Sequence, residues 1–311
     1  MWAGGAPSKV VAHIKRVKHL AESREPASRF YQSQGLQLHY ADWGNPTAPP
    51  LVLIHGSRDH CRSWDSVARA LQPHFHVLAP DLRGHGDSEW ARGSSYSLAD
   101  HLYDVAGLLQ AEAIDVATVV GHSLGGMIGL AFAGTYPHKV SRLVVLDGAF
   151  LPSPPAIPID QQIAAWVAQL DGISNANARS FRTLDEAAER MSAHNRRLTP
   201  EQALHLARHG VRKNQDGSFS WKFDKYQQVR APYRLSAEDY IALWSRIACP
   251  TLLLFGDESF LSGPDRTGLL RHFSQAEAKT IAGAGHWLHH DRLDDVVAAL
   301  RSFLEIGGRI E

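Results

Sequence analysis

The stretch VVGHSLGG, residues 119–126, limits the fold more than any other part of the chain. Thr118-Val119-Val120 is β-branched and reads as the end of a buried strand. Leu124 to Ala133 reads as a buried helix rich in small residues. A strand that becomes a helix across a single residue must turn sharply. The pivot then takes an uncommon backbone conformation, and its neighbours must be small to avoid collision. Gly121 and Gly125 meet that demand, two positions before and two after Ser123. The pattern is G-x-S-x-G between strand and helix, which lifts the serine hydroxyl to the sheet edge as a candidate nucleophile.

The text around this pivot alternates between strands and helices. LQLHYADW (36–43), PLVLIHG (50–56), FHVLAP (75–80), SRLVVLDG (141–148), PTLLLFGDES (250–259) and AKTIAGAGH (278–286) read as strands with the loops that follow them. SLADHLYDVAGLLQAE (97–112) has helical spacing and opens on a Ser97/Asp100 capping pattern, and RLDDVVAALRSFL (292–304) is a closing amphipathic helix. Strands separated by helices imply a mostly parallel sheet covered on both faces.

Between residues 151 and 246 the rhythm breaks. The proline-rich LPSPPAIP leads into helical segments starting at Thr183, Thr199 and Ser236, with a hairpin signal at Asp216-Gly217. This stretch reads as a mainly helical cap inserted into the sheet. The expected organisation is an N-terminal extension (1–30), a core (31–150 and 247–311) and a cap (151–246).

Composition narrows the partners. Lys+Arg and Asp+Glu both number 32, so the chain has no net charge to supply a broad basic field for nucleic acid or an anionic membrane. No apolar run approaches the ~18 residues of a membrane span. Cys61 and Cys249 form no recognisable framework, which points to a reducing, cytoplasmic setting. The first 30 residues are basic but lack the apolar core of a secretory signal, and read as an extension outside the core.

A serine hydroxyl needs a base to take its proton, and the base needs a carboxylate to hold its tautomer. Among 18 histidines, His286 stands out because it follows the last expected strand in the glycine-rich GAGHW. Two strand ends offer the acid: Asp147 closes LVVLD, and Asp257 follows Gly256 in LLLFGDES. Both satisfy the order Ser, acid, His; each also has a structural reading, Asp147 as a cap at the entry to the inserted segment and Asp257 as a turn anchor. Backbone donors for a developing oxyanion are expected from Leu124, after the pivot, and from Ser57, with Arg58 next in line, after LVLIHG. Trp64, Trp287 and His122 are expected to wall the substrate pocket, with contributions from cap aromatics. Arg83 reads as a structural ion-pair residue. HWLHH (286–290) lacks the glutamate of an H-E-x-x-H site, so no metal and no cofactor are expected.

With these motifs in order, the chain resembles the α/β-hydrolase superfamily over residues 36–304. The resemblance rests on HGS (55–57), DLRGHGDS (81–88), GHSLGG (121–126), LVVLDG (143–148) and GAGHW (283–287). The cap, with WKFD and HWLHHD, looks like a bacterial branch near the serine hydrolase-like proteins. The resemblance implies an α/β-hydrolase fold, with a mostly parallel central sheet flanked by helices and a helical cap. It also implies hydrolysis of small to medium, fairly apolar esters or lactones through an acyl-enzyme, by a monomer or homodimer. C–C bond hydrolysis, cofactor-free perhydrolysis or a slow ligand receptor are alternatives on the same residues. Most relatives read G-x-x-D after strand 7 and take the acid from its last position. Here that position is Ser259. Some members take the acid from the strand after the pivot, where Asp147 stands, and on that ground Asp147 is preferred to Asp257.

Overall fold

The computed structural model describes residues 25–91, 93, 96–151, 157–174, 180–229, 235–261 and 267–306. Eight strands form one sheet in the order β1-β2-β4-β3-β5-β6-β10-β11. They are β1 (Ala27–Ser33), β2 (Leu36–Asp42), β3 (Pro50–Ile54), β4 (His76–Pro80), β5 (Ala117–His122), β6 (Val140–Leu146), β10 (Thr251–Gly256) and β11 (Ala276–Ile281). β1 and β2 pair antiparallel, and β2 pairs antiparallel with β4. From β4 to β11 every neighbouring pair is parallel.

Successive side chains leave a strand on opposite faces, and both faces here are covered. Val119, Leu143, Val145, Leu253 and Phe255 join one apolar cluster, while Val120, Val144, Leu146, Leu252 and Leu254 join the other. The first cluster includes residues of α2 (Leu98–Ala111), α3 (Leu124–Thr135) and α7 (Ala237–Trp244). The second lies against α1 (Asp65–Leu71), α8 (Leu288–Asp291) and α9 (Leu293–Phe303). A strand buried on both sides has no polar face, which is why these segments read as continuous apolar runs.

Residues between β6 and β10 leave the sheet. Their described part holds α4 (Ile159–Ser174), α5 (Leu184–His194), α6 (Pro200–Gly210), α7 and a small antiparallel sheet of β7 (Ser180–Phe181), β9 (Phe219–Trp221) and β8 (Val211–Lys213). The helix starts follow local chemistry. Ser97 with Asp100, Thr199 with Gln202 and Ser236 with Asp239 form reciprocal capping boxes, and Thr183 accepts from the Glu186 amide. Gly217, with φ +86°, turns the β8–β9 hairpin. The segment is tied to the sheet domain by the Asp224 amide on the Gly84 carbonyl (2.8 Å) and Asn195 on Asp291 (2.9 Å). Most of the proline-rich entry, residues 152–156, lies outside the described residues.

The boundary drawn at residue 30 is corrected. Ala27–Ser33 is a full strand in register with Leu36–Asp42. It was hidden because it is an edge strand: only Tyr31 and Ser33 are buried, so its alternation is too short to read. Arg83 is fully enclosed and clamps both oxygens of Asp104 at 2.7 Å, a structural role.

Candidate active site

All the parallel strands run the same way, so their C-terminal ends share one edge, and the loops leaving that edge can converge. Ser123 sits between β5 and α3 with φ +50° and ψ −114°, outside the common backbone regions. Close packing fixes the turn. A Cβ on Gly121 would lie 2.2 Å from the Gly125 carbonyl oxygen, and one on Gly125 would lie 2.1 Å from that of Ile54. Only glycine fits at either place.

His286 lies in the loop after β11. Its Nε2 is 3.0 Å from Ser123 Oγ, and its Nδ1 donates to Asp147 Oδ2 at 2.6 Å. Asp147 directly follows β6, is 1% exposed and has φ +47°. Its amide donates to the Leu254 carbonyl (2.8 Å), which fixes the strand end that aims the carboxylate. Asp257 is placed differently. Its Oδ1 accepts from the Ala284 amide at 3.2 Å, anchoring the loop that carries His286. Asp291 grips the same loop through the Gly285 amide at 2.8 Å.

Sequence reasoning missed the part Ser259 plays. It is buried, and its hydroxyl donates to Asp147 Oδ2, the oxygen that His286 also uses. The Leu261 amide in turn donates to Ser259 Oγ at 3.1 Å. The departure from G-x-x-D was the signal: a hydroxyl occupies the position of the usual acid and hydrogen-bonds to the carboxylate that stands on β6.

The Ser57 and Leu124 amides are left without a protein acceptor among the described residues. Leu124 opens α3, where the first N–H groups have no carbonyl one turn earlier. Ser57 Oγ donates to Gln227 of the insertion at 2.8 Å.

A cavity of about 1370 Å³ opens over Ser123 and His286. Trp166, Trp221, Phe223, Tyr226 and Trp287 line it, with Ser57, Arg58 and His122 at its floor. Phe181, Tyr240 and Trp244 do not line it, and Tyr233 lies outside the described residues. Trp64 is a correction: it is fully buried in the core, stacked on His289 at 4.6 Å, and does not line the cavity. It closes the short helix Cys61–Trp64, whose inner face packs against the sheet, so nearness in sequence to the Ser57 loop did not set its direction. His122 reaches the cavity but is almost wholly buried. Its Nε2 donates to the His286 carbonyl at 2.8 Å, and burial, then the adjacent His286, holds its pKa well below the usual histidine value.

A serine on a strained turn, a histidine and carboxylate behind it, and unspent amides beside it form a candidate hydrolase site on a parallel sheet. The profile of the alpha/beta hydrolase fold family matches residues 49–293. The chain belongs to the α/β-hydrolase family and is a hydrolase. It is 29% identical to the esterase YbfF of Escherichia coli K12 over 260 residues, covering 82% of this chain and 92% of that protein. It is also 29% identical to the mouse sn-1-specific diacylglycerol lipase ABHD11 over 284 residues, covering 84% of this chain and 82% of the lipase. Among solved structures, the thioesterase domain from the curacin biosynthetic pathway superposes with a TM-score of 0.81 at 27% identity, covering 89% of this chain and 99% of the domain.

Proposed function

We propose that this chain hydrolyses carboxylic esters through an acyl-enzyme on Ser123, under a cap formed by residues 151–246. The observation that carries the reading is the continuous relay Ser123 Oγ–His286 Nε2 (3.0 Å) and His286 Nδ1–Asp147 Oδ2 (2.6 Å). Its direction follows from the hydrogen bonds. Asp147 accepts from Nδ1–H, so Nε2 carries the lone pair and takes the Ser123 proton as Oγ attacks the carbonyl carbon. The carbonyl oxygen becomes an oxyanion facing the Ser57 and Leu124 amides. His286 then gives its proton to the leaving alcohol, and the C–O bond breaks. Water, deprotonated by His286, attacks the acyl-enzyme and releases the acid and free Ser123.

The cavity exceeds the roughly 300–1,000 Å³ common for small-molecule sites. Its aromatic lining suits an apolar acyl or alcohol group, so a medium-chain ester is expected to turn over faster than an acetate. A p-nitrophenyl ester series from acetate to decanoate tests this, read with intact-mass detection of an acyl adduct on the wild-type chain. An adduct absent from every ester, with no turnover, defeats the reading. An acyl thioester in the same panel tests the chemistry named for the structural relative.

Ser259 is a positioning residue in this scheme. Ser259→Ala removes one hydrogen bond to a buried carboxylate, worth about 1.5–3 kcal/mol for a charged acceptor. We expect kcat to fall about tenfold or more, as 1.36 kcal/mol per decade implies, with KM near wild type. An unchanged kcat removes Ser259 from the scheme, and a change confined to KM gives it a different role.

A further inference from the structure

Two groups of possible metal ligands stand close together among the described residues, and they differ in one respect. In the first, His39, Cys61 and Asp81, the groups are spoken for. His39 Nδ1 bonds Asp81 Oδ2 at 2.7 Å, and Asp81 also accepts from the Cys61 amide (2.7 Å) and the Asp87 amide (2.9 Å). In the second, Asp59, His122 and His289, one ligand atom from each lies within 4.8 Å of the others. Here the converging atoms are orphans. Asp59 Oδ2, His122 Nδ1 and both ring nitrogens of His289 are buried with no hydrogen-bond partner among the described residues.

Buried polar atoms without protein partners are costly, so a cluster of them is a place where a water or an ion can bind. The hydrogen bonds already made fix what that occupant meets. His122 spends its Nε2–H on the His286 carbonyl, so Nδ1 presents a lone pair. Asp59 uses Oδ1 to accept from the His60 amide at 2.8 Å, so Oδ2 presents another. His289 is clamped between the Trp64 ring (4.6 Å) and the His122 ring (4.8 Å), with one lone pair to offer in either neutral tautomer. Asp59 forms no ion pair among the described residues, and the His60 ring and Ser63 hydroxyl are polar neighbours of its carboxylate. A water can bridge such groups but cannot neutralise a buried carboxylate, whereas a divalent cation does both.

The geometry points to a binding site for a first-row divalent transition ion such as Zn²⁺ or Co²⁺ at Asp59, His122 and His289, behind the loop that carries Ser57. Two imidazoles and one carboxylate suit these ions better than Mg²⁺ or Ca²⁺, which favour all-oxygen shells. A tetrahedral ion with bonds of about 2.0–2.1 Å holds its ligands about 3.3 Å apart. The cluster therefore tightens as the Asp59 carboxylate swings inward. Asp59 and His122 both line the cavity, which gives the ion its entry path and leaves the open coordination position facing substrate. The ion ties the Ser57–Arg58 loop to the residue preceding Ser123, so it restrains the site and slows turnover. It takes no part in the hydrolysis proposed above. This is not the HWLHH run read as a site by itself, because the three ligands come from three separate segments: the loop after β3, the end of β5 and the short helix Leu288–Asp291.

The test is Co²⁺ uptake by the purified full-length chain, followed by visible absorption and equilibrium dialysis, then displacement by Zn²⁺. One ion per chain is expected. Asp59→Asn and His289→Phe are each expected to weaken uptake at least about tenfold, as loss of a ligand or its support does elsewhere. No stoichiometric uptake, or uptake equal in wild type and both variants, overturns the site. Should either variant fail to fold, a wild-type crystal soaked in Zn²⁺ decides. Anomalous density between Asp59, His122 and His289 supports the site, and density only elsewhere, or a water alone, overturns it. Zn²⁺ is also expected to slow ester hydrolysis reversibly, with activity restored by EDTA. Uptake without slowing overturns the inhibitory part. Uptake is read without turnover, so failure of the esterase reading leaves this result interpretable.

Discussion

Ser123→Ala is expected to lower kcat for the best p-nitrophenyl ester by about 10⁶-fold, the scale seen when a serine hydrolase loses its nucleophile. The change deletes one oxygen and keeps Cβ, so the left-handed φ of +50° and the packing of Gly121 and Gly125 are undisturbed. The variant should therefore fold, and circular dichroism with a thermal melt checks that it does. The His286 ring then has no hydroxyl to deprotonate, although the Ser57 and Leu124 amides remain. That residual scaffold accounts for whatever slow turnover survives. Activity within about tenfold of wild type in a folded variant would sink the acyl-enzyme scheme, because no other serine touches His286 Nε2 among the described residues.

The second large effect separates two carboxylates. Asp147→Asn is expected to cost about 10⁴-fold in kcat, and Asp257→Asn is expected to leave kcat near wild type. With Asp147 present, His286 must carry its proton on Nδ1. An asparagine there can offer N–H instead of accepting it, which favours the tautomer with the proton on Nε2, and that ring cannot act as a base. Asp257 only receives the Ala284 amide, a bond that asparagine Oδ1 keeps. Steady-state kinetics on both variants decides. The reverse pattern would move the acid to Asp257 and require the His286 loop to rearrange.

Much of the fold was legible because its cause is local. The mostly apolar runs at 51–54, 117–121, 143–146 and 251–256 are buried on both faces, and such strands cannot hide their character. Helix starts at Ser97, Thr199 and Ser236 were legible because a cap and its partner lie three residues apart. The strand at Ala27–Ser33 escaped because an edge strand with two buried residues carries little pattern. Ser123 and His286 were legible from glycine spacing and strand order. The acid was narrowed to two positions, and both carry carboxylates at strand ends where either could face the histidine.

The sequence by itself determined the pivot: glycines two residues either side of Ser123 let a β-branched strand turn into a small-residue helix, while the close approach of Gly125 to the Ile54 carbonyl of β3 came from the tertiary structure. It also determined the two-sided sheet, since buried strands that alternate between two clusters leave no face for water. Tertiary structure alone decided which way loop side chains point. Asp147 turns to the His286 ring while Asp257 turns to the Ala284 amide of the loop that carries that ring, and Trp64 turns into the core while Trp287 faces the cavity. It alone brought Asp59, His122 and His289 to one place, and set Ser259 against Asp147. Strand and turn sterics act over a few residues and are written in the local sequence. The direction of a loop side chain depends on what packs against it from a distant segment, and only the closed sheet brings those segments together.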